Sequence, residues 1–166
     1  MKKTIYVLIG IIILGFGGYS LFKGNSVPDS ALAKIDPSQV EVSPATYDIG
    51  SVVMKDGIVT REYEIKNNSS EVLRLKKIFT SCMCTKAQVI VGDRKTRFYS
   101  MEMGGATNAA VDFDIPAAST AKLLVKFDPA AHGIQGTGPL QREVDLTFID
   151  PVGTRRVGFS GEVVLK

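Results

Sequence analysis

The stretch "IVTREYEIKNNSSEVLRLKKIF", Ile58 to Phe79, decides the fold class. Its first half sets Val59, Tyr63 and Ile65 at every-second positions, with Thr60, Glu62 and Glu64 between them. Side chains alternate across a strand, so this period of two describes a strand with one buried and one wet face. The turn-forming "NNSSE" follows. "VLRLKKIF", Val72 to Phe79, then resumes the alternation and sets Leu73, Leu75 and Phe79 on a shared face.

The same period recurs outward from this stretch. "AKLLVKFDP" alternates through Ala121, Leu123, Val125 and Phe127, and "REVDLTFID" through Val144, Leu146 and Phe148. "RRVGFSGEVVL" does so through Val157, Phe159, Val163 and Leu165. "PAASTAKLL" has the composition of a helix start, but the alternation from Ala121 favours a strand. About seven short strands separated by Gly, Pro, Asn and Asp predict an all-β, immunoglobulin-like antiparallel sandwich. No Trp and no distant cysteine pair is present to pin such a core. Roughly 25 inward side chains at about 1.5–3 kcal/mol each must hold it. "GDRKTRFYSMEMGGATNAA", Gly92 to Ala110, breaks the rhythm and reads as a long loop or irregular hairpin.

Ahead of the strands lies a different composition. Between "MKK" and Lys23, the run Thr4 to Phe22 carries no charged side chain. At 1.5 Å per residue these ~19 residues span roughly 28 Å, close to the hydrocarbon thickness of a bilayer. Lys2 and Lys3 before it predict a cytoplasmic short end and an exported remainder. A cleaved signal is the rival reading, with "ALA", Ala31 to Ala33, as a distant candidate site. The expected organisation is a transmembrane signal-anchor at 1–23, a flexible linker at 24–38 and the sandwich at 39–166. The membrane and an unknown envelope protein are the expected partners. A formal net charge of +3 and the solvated cluster "RKTR", Arg94 to Arg97, give no nucleic-acid platform.

The ordered set "SPATYDIGSV", "REYEIKNNS", "LRLKKIFTSCMCT", "KLLVKFDP", "QREVDLTF" and "GEVVL" resembles the bacterial domain-of-unknown-function family numbered 1573, across Val40 to Leu165. The resemblance implies an immunoglobulin-like sandwich similar to major-sperm-protein and cilia-associated domains, usually behind an export signal. The family's motif reads Ser-Cys-Gly-Cys-Thr. Here Ser81, Cys82, Cys84 and Thr85 match it, and Met83 replaces the glycine.

Cys82 and Cys84 are the only cysteines. Residues i and i+2 of an extended strand lie roughly 6.5–7 Å apart, at or past the edge for a disulfide, so a bridge needs a local kink. Two same-facing thiolates instead suit a soft metal. His132 is the only histidine, which makes a four-ligand zinc site a poor fit. Copper(I) accepts thiolates and thioethers with fewer ligands, and Met83, Met101, Met103 and His132 are the candidate partners of Cys82 and Cys84. Buried structural thiols and thiol–disulfide exchange stay open beside it. "NNSSE" also contains glycosylation sequons at Asn67 and Asn68. No hydrolase, phosphate-loop or zinc-protease motif is present. The expected function is therefore a membrane-anchored, extracytoplasmic binding module without enzymatic activity. Copper(I) binding and thiol exchange are its alternatives.

Overall fold

The computed structural model describes residues 36, 38–102, 110–150 and 152–166. The expected anchor, most of the linker and Met103 lie outside them. Ten strands follow in order: β1 (Val40–Ser43), β2 (Thr46–Val53), β3 (Val59–Asn67), β4 (Leu73–Thr80), β5 (Thr85–Val91), β6 (Arg94–Lys95), β7 (Phe113–Ile115), β8 (Thr120–Phe127), β9 (Gly138–Asp150) and β10 (Val152–Val164). The only helical pieces among the described residues are two 3-10 turns, Met54–Asp56 and Gly133–Gly136. No helix of the described residues is long and apolar enough to cross a membrane.

The strands form two five-stranded sheets, ordered β1-β3-β8-β5-β6 and β2-β10-β9-β4-β7. The chain is therefore an all-β sandwich, consistent with an immunoglobulin-like architecture. Two details correct the sequence reading. The strand count exceeds seven because β1, β6 and β7, of 4, 2 and 3 residues, are too short to show a period. The sandwich is also not wholly antiparallel, since β2 pairs with β10 in parallel.

The alternating residues fill the core as expected. Tyr63, Ile65, Leu123, Val125, Leu146, Phe148, Val157 and Phe159 are all buried. Across the two sheets the rings of Phe127 and Phe159 lie 5.3 Å apart. The Tyr63 hydroxyl donates to the Gly158 carbonyl at 2.7 Å, and burial pushes its pKa above the usual tyrosine range.

β4 departs from simple alternation. The register of β4 on β9 shifts between Leu75 and Lys77, so the strand is bulged. Leu73 and Leu75 point inward, but beyond the bulge Ile78 and Thr80 take over. Phe79, expected on the buried face, turns half outward, and the Lys77 ammonium sits 5.5 Å from its ring centroid. Leu165 is also out of the core, 56% exposed, because it lies past the end of β10.

Asn67, at the end of β3, is 1% exposed. Its Nδ2 donates to the carbonyls of Glu71 at 2.8 Å and Pro116 at 2.9 Å, with the Ile115 carbonyl at 3.2 Å. Its Oδ1 accepts from the Ser69 hydroxyl at 2.7 Å and the Ser69 amide at 3.1 Å. An amide nitrogen so enclosed is not available to carry a glycan, which removes Asn67 as a glycosylation site.

Where β2 runs parallel to β10, the register shifts between Ser160 and Glu162. A Cβ on Gly161 would stand 2.6 Å from both the Gly50 carbonyl oxygen and Ile49 Cγ1. Gly161→Ala must therefore push β2 away from β10. We expect chemical denaturation to show a loss of about 1–3 kcal/mol, the range for overpacking a well-packed site.

Candidate functional site: a cysteine turn between the sheets

Ser81 to Cys84 form the turn between β4 and β5 rather than a stretch of strand. The Thr85 amide donates to the Cys82 carbonyl at 3.1 Å, closing a four-residue turn with Met83 and Cys84 at its centre. Fully buried Thr80 supports it from below, with its hydroxyl 2.8 Å from the Cys82 carbonyl and 3.1 Å from that of Thr85. The turn is held from both sheets. The Ser81 amide donates to the Glu143 carbonyl of β9 at 3.0 Å, and the Glu143 amide donates to the Ser81 hydroxyl at 2.9 Å. From the other sheet, the Asp128 amide just after β8 donates to the Cys84 carbonyl at 2.9 Å.

This geometry changes the expectation for the cysteines. The Cα atoms of Cys82 and Cys84 are 5.2 Å apart, and their sulfurs are joined in a disulfide. The separation predicted for an extended strand did not apply, because the bend brings the pair inside the usual disulfide window. Cys84 is 3% exposed, while Cys82 is partly buried at the edge of the core. The Cys84 amide also donates to the Cys82 sulfur at 3.2 Å.

Each sulfur has a further polar neighbour. His132 Nε2 lies 3.2 Å from Cys82 Sγ. It is carried there by the loop after β8, where the Asp128 carboxylate accepts from the Ala130 amide at 2.9 Å and the 3-10 turn begins at Gly133. From β9, Arg142 Nε donates to Cys84 Sγ at 3.3 Å. A guanidinium or imidazole N–H at this distance favours a thiolate over a thiol, which is the usual way a cysteine is made reactive.

Sequence reasoning singled out Cys82, Cys84 and His132, and these come together: one ligand atom from each lies within 4.8 Å of the others. Met83 stands at the turn's tip, 46% exposed. There it lines an open groove with Ile58, Phe98, Lys86 and Lys126. Met101 is half-buried on the segment following β6, beside Ser100, whose hydroxyl donates to the Thr85 carbonyl at 2.8 Å. Arg142 was missed, though a signal existed. It shares the inward phase of Val144, Leu146 and Phe148, and an arginine in the inward phase of a strand needs a polar partner there.

A two-sheet β-sandwich with a disulfide-bridged turn at one end thus defines the class of this protein. The model of the family described as "Protein of unknown function (DUF1573)" matches residues 40–94, a span that includes the cysteine turn. The resemblance to that family therefore holds over β1 to the start of β6. No curated protein matches the chain. Similar solved structures include a protein of unknown function from Porphyromonas gingivalis W83, at 20% identity and TM-score 0.54 over 82% of this chain and 51% of that one. A family 123 glycoside hydrolase from Clostridium perfringens aligns at 9% identity and TM-score 0.51, over 72% of this chain and 23% of that one. The ASH/PapD-like domain 7 of human CEP192 aligns at 14% identity and TM-score 0.49, over 80% and 91%. This chain spans about half the length of the Porphyromonas protein. At these identities the likeness is one of fold.

Proposed function

We propose that this domain is a thiol–disulfide exchange module that works outside the cytoplasm on a thiol-bearing protein partner. The single observation behind it is that the Cys82–Cys84 disulfide has a donor group at each sulfur, His132 at one and Arg142 at the other. A structural staple is a poor alternative, because a bridge with a sequence separation of 2 closes almost no loop and restricts the unfolded chain little.

The direction of the exchange follows from Cys82 being the less buried of the two residues. A partner thiolate attacks Sγ of Cys82, the less buried residue, forming a mixed disulfide and breaking the Cys82–Cys84 bond. The electron pair leaves on Cys84 Sγ, where the Arg142 N–H stabilises the thiolate. A second thiolate attacks the partner's sulfur, releasing the oxidised partner and leaving Cys82 as a thiolate beside His132. Two electrons pass to the module, and the reverse sequence returns them. Stabilising the leaving thiolate accelerates such exchange. The groove at Met83, apolar at Ile58 and Phe98 and basic at Lys86 and Lys126, gives an extended segment of a protein partner a surface beside the turn.

Export is part of the same proposal. It rests on the uncharged run Thr4 to Phe22 behind Lys2 and Lys3, and an oxidising compartment is where such a bridge persists. The test is the rate at which excess reduced glutathione opens the disulfide, followed by alkylation and mass. Arg142→Gln should slow opening about tenfold or more, the worth of a hydrogen bond to a charged group. An unchanged rate in that variant would remove Arg142 from the chemistry.

A further inference from the structure

We infer that the reduced form of the turn is a copper(I) site made of Cys82, Cys84 and His132. This inference rests on the proposed reducibility of the disulfide. One donor atom from each of the three residues already lies within 4.8 Å of the other two, so a single ion can bridge them with small rotations of the side chains. Both thiolates come from a turn pinned to both sheets through Glu143 and Asp128, so the sulfurs stay close once the bond between them is broken. His132 is exposed at the start of the 3-10 turn, where its ring can follow the ion.

The donor set selects the metal. Two thiolates and an imidazole are soft to borderline ligands, and among the described residues no carboxylate joins the group. Structural zinc takes four protein ligands in a closed tetrahedron. Copper(I) favours thiolates and accepts fewer of them. Charge agrees: two thiolates around one monovalent cation leave a single negative charge, and the Arg142 guanidinium already touches Cys84 Sγ at 3.3 Å. A divalent ion there would leave the guanidinium facing a neutral centre.

The redox balance is explicit. Two thiols of a reductant such as dithiothreitol convert the Cys82–Cys84 bond into two thiols and are themselves oxidised to a disulfide. Copper(I) binding then displaces the two thiol protons. The bridged form has no thiolate to offer, so the oxidation state of the turn switches the site on and off.

The test uses the full chain in detergent micelles, reduced with dithiothreitol, desalted without oxygen and titrated against the copper(I)–bicinchoninate complex. Free thiols are counted by alkylation on the same sample. The expected result is one equivalent of copper(I) held by the reduced protein and none by the oxidised protein. His132→Ala should weaken the reduced site about tenfold or more, with both thiols still counted. Two counted thiols without copper uptake would overturn the copper site and leave thiol exchange standing. Failure to release any thiol would overturn both. Equal uptake by oxidised and reduced protein, or zinc(II) held in preference to copper(I), would also overturn the assignment.

Discussion

Asn67→Ala is expected to lower the unfolding free energy by about 2–4 kcal/mol, a large share of the total for a domain of this size. The side chain is 1% exposed and joins the end of β3 to the Glu71 turn and to the end of β7. Removing it leaves the Ser69 amide without its acceptor and takes one donor each from the Glu71 and Pro116 carbonyls, which keep the Ser69 hydroxyl at 3.0 Å and the Ser119 hydroxyl at 2.7 Å. Each buried polar group left unmet costs about 1–3 kcal/mol. Urea unfolding followed by fluorescence or circular dichroism measures the change. Asn67→Asp separates hydrogen bonding from volume. At neutral pH it puts a carboxylate against carbonyl oxygens, so it should be at least as damaging as alanine. The folded state raises the pKa of that carboxyl. The variant should therefore regain stability as pH falls and the protonated acid donates again, and lose it as pH rises.

Phe127→Ala should cost a similar amount, about 3–5 kcal/mol by transfer and cavity terms together. The ring is 4% exposed and packs on Phe159 across the sandwich. It also sits where the core meets the site. Phe127 is the register partner of Thr85, and the next amide, that of Asp128, holds the Cys84 carbonyl. The same change should therefore speed opening of the disulfide by glutathione, because the turn loses its anchor on that sheet. A destabilised variant with an unchanged opening rate would show that the turn is held from β9 alone.

Much of the fold was legible in the sequence because burial leaves a period of two in long strands. β3, β8 and β9 show it over several residues, and their inward sets match the buried ones apart from Val59, which is partly buried. β4 shows where the reading fails. A bulge inserts one residue, and past it every side chain exchanges faces, so Phe79 was assigned to the core while Ile78 occupies it. Pairing direction is equally invisible: nothing in "TYDIGSVV" says that it runs parallel to β10. The site was legible as residue types rather than as geometry. Two cysteines one residue apart suggested a bond only if the backbone bent. The bend comes from Thr80, Ser81 and their partners on β9, which are distant in sequence. His132 was a candidate as the lone histidine, whereas its place beside Cys82 depends on the turn that follows Asp128. Arg142 carried a readable sign, its inward phase, that only matters once β9 is known to meet the cysteines at Arg142 and Glu143.

The most direct test of the account is the reduction potential of the Cys82–Cys84 pair in glutathione buffers, read by alkylation and mass. Arg142 and His132 favour the thiolate form, so a reversible two-electron transition is expected between about −120 and −270 mV, the range of exchange-active pairs. Arg142→Gln should move it lower by about 30 mV or more, equivalent to about 1.4 kcal/mol of lost thiolate stabilisation. A pair that stays bridged below about −300 mV, with or without Arg142, would be a structural disulfide and would contradict the account.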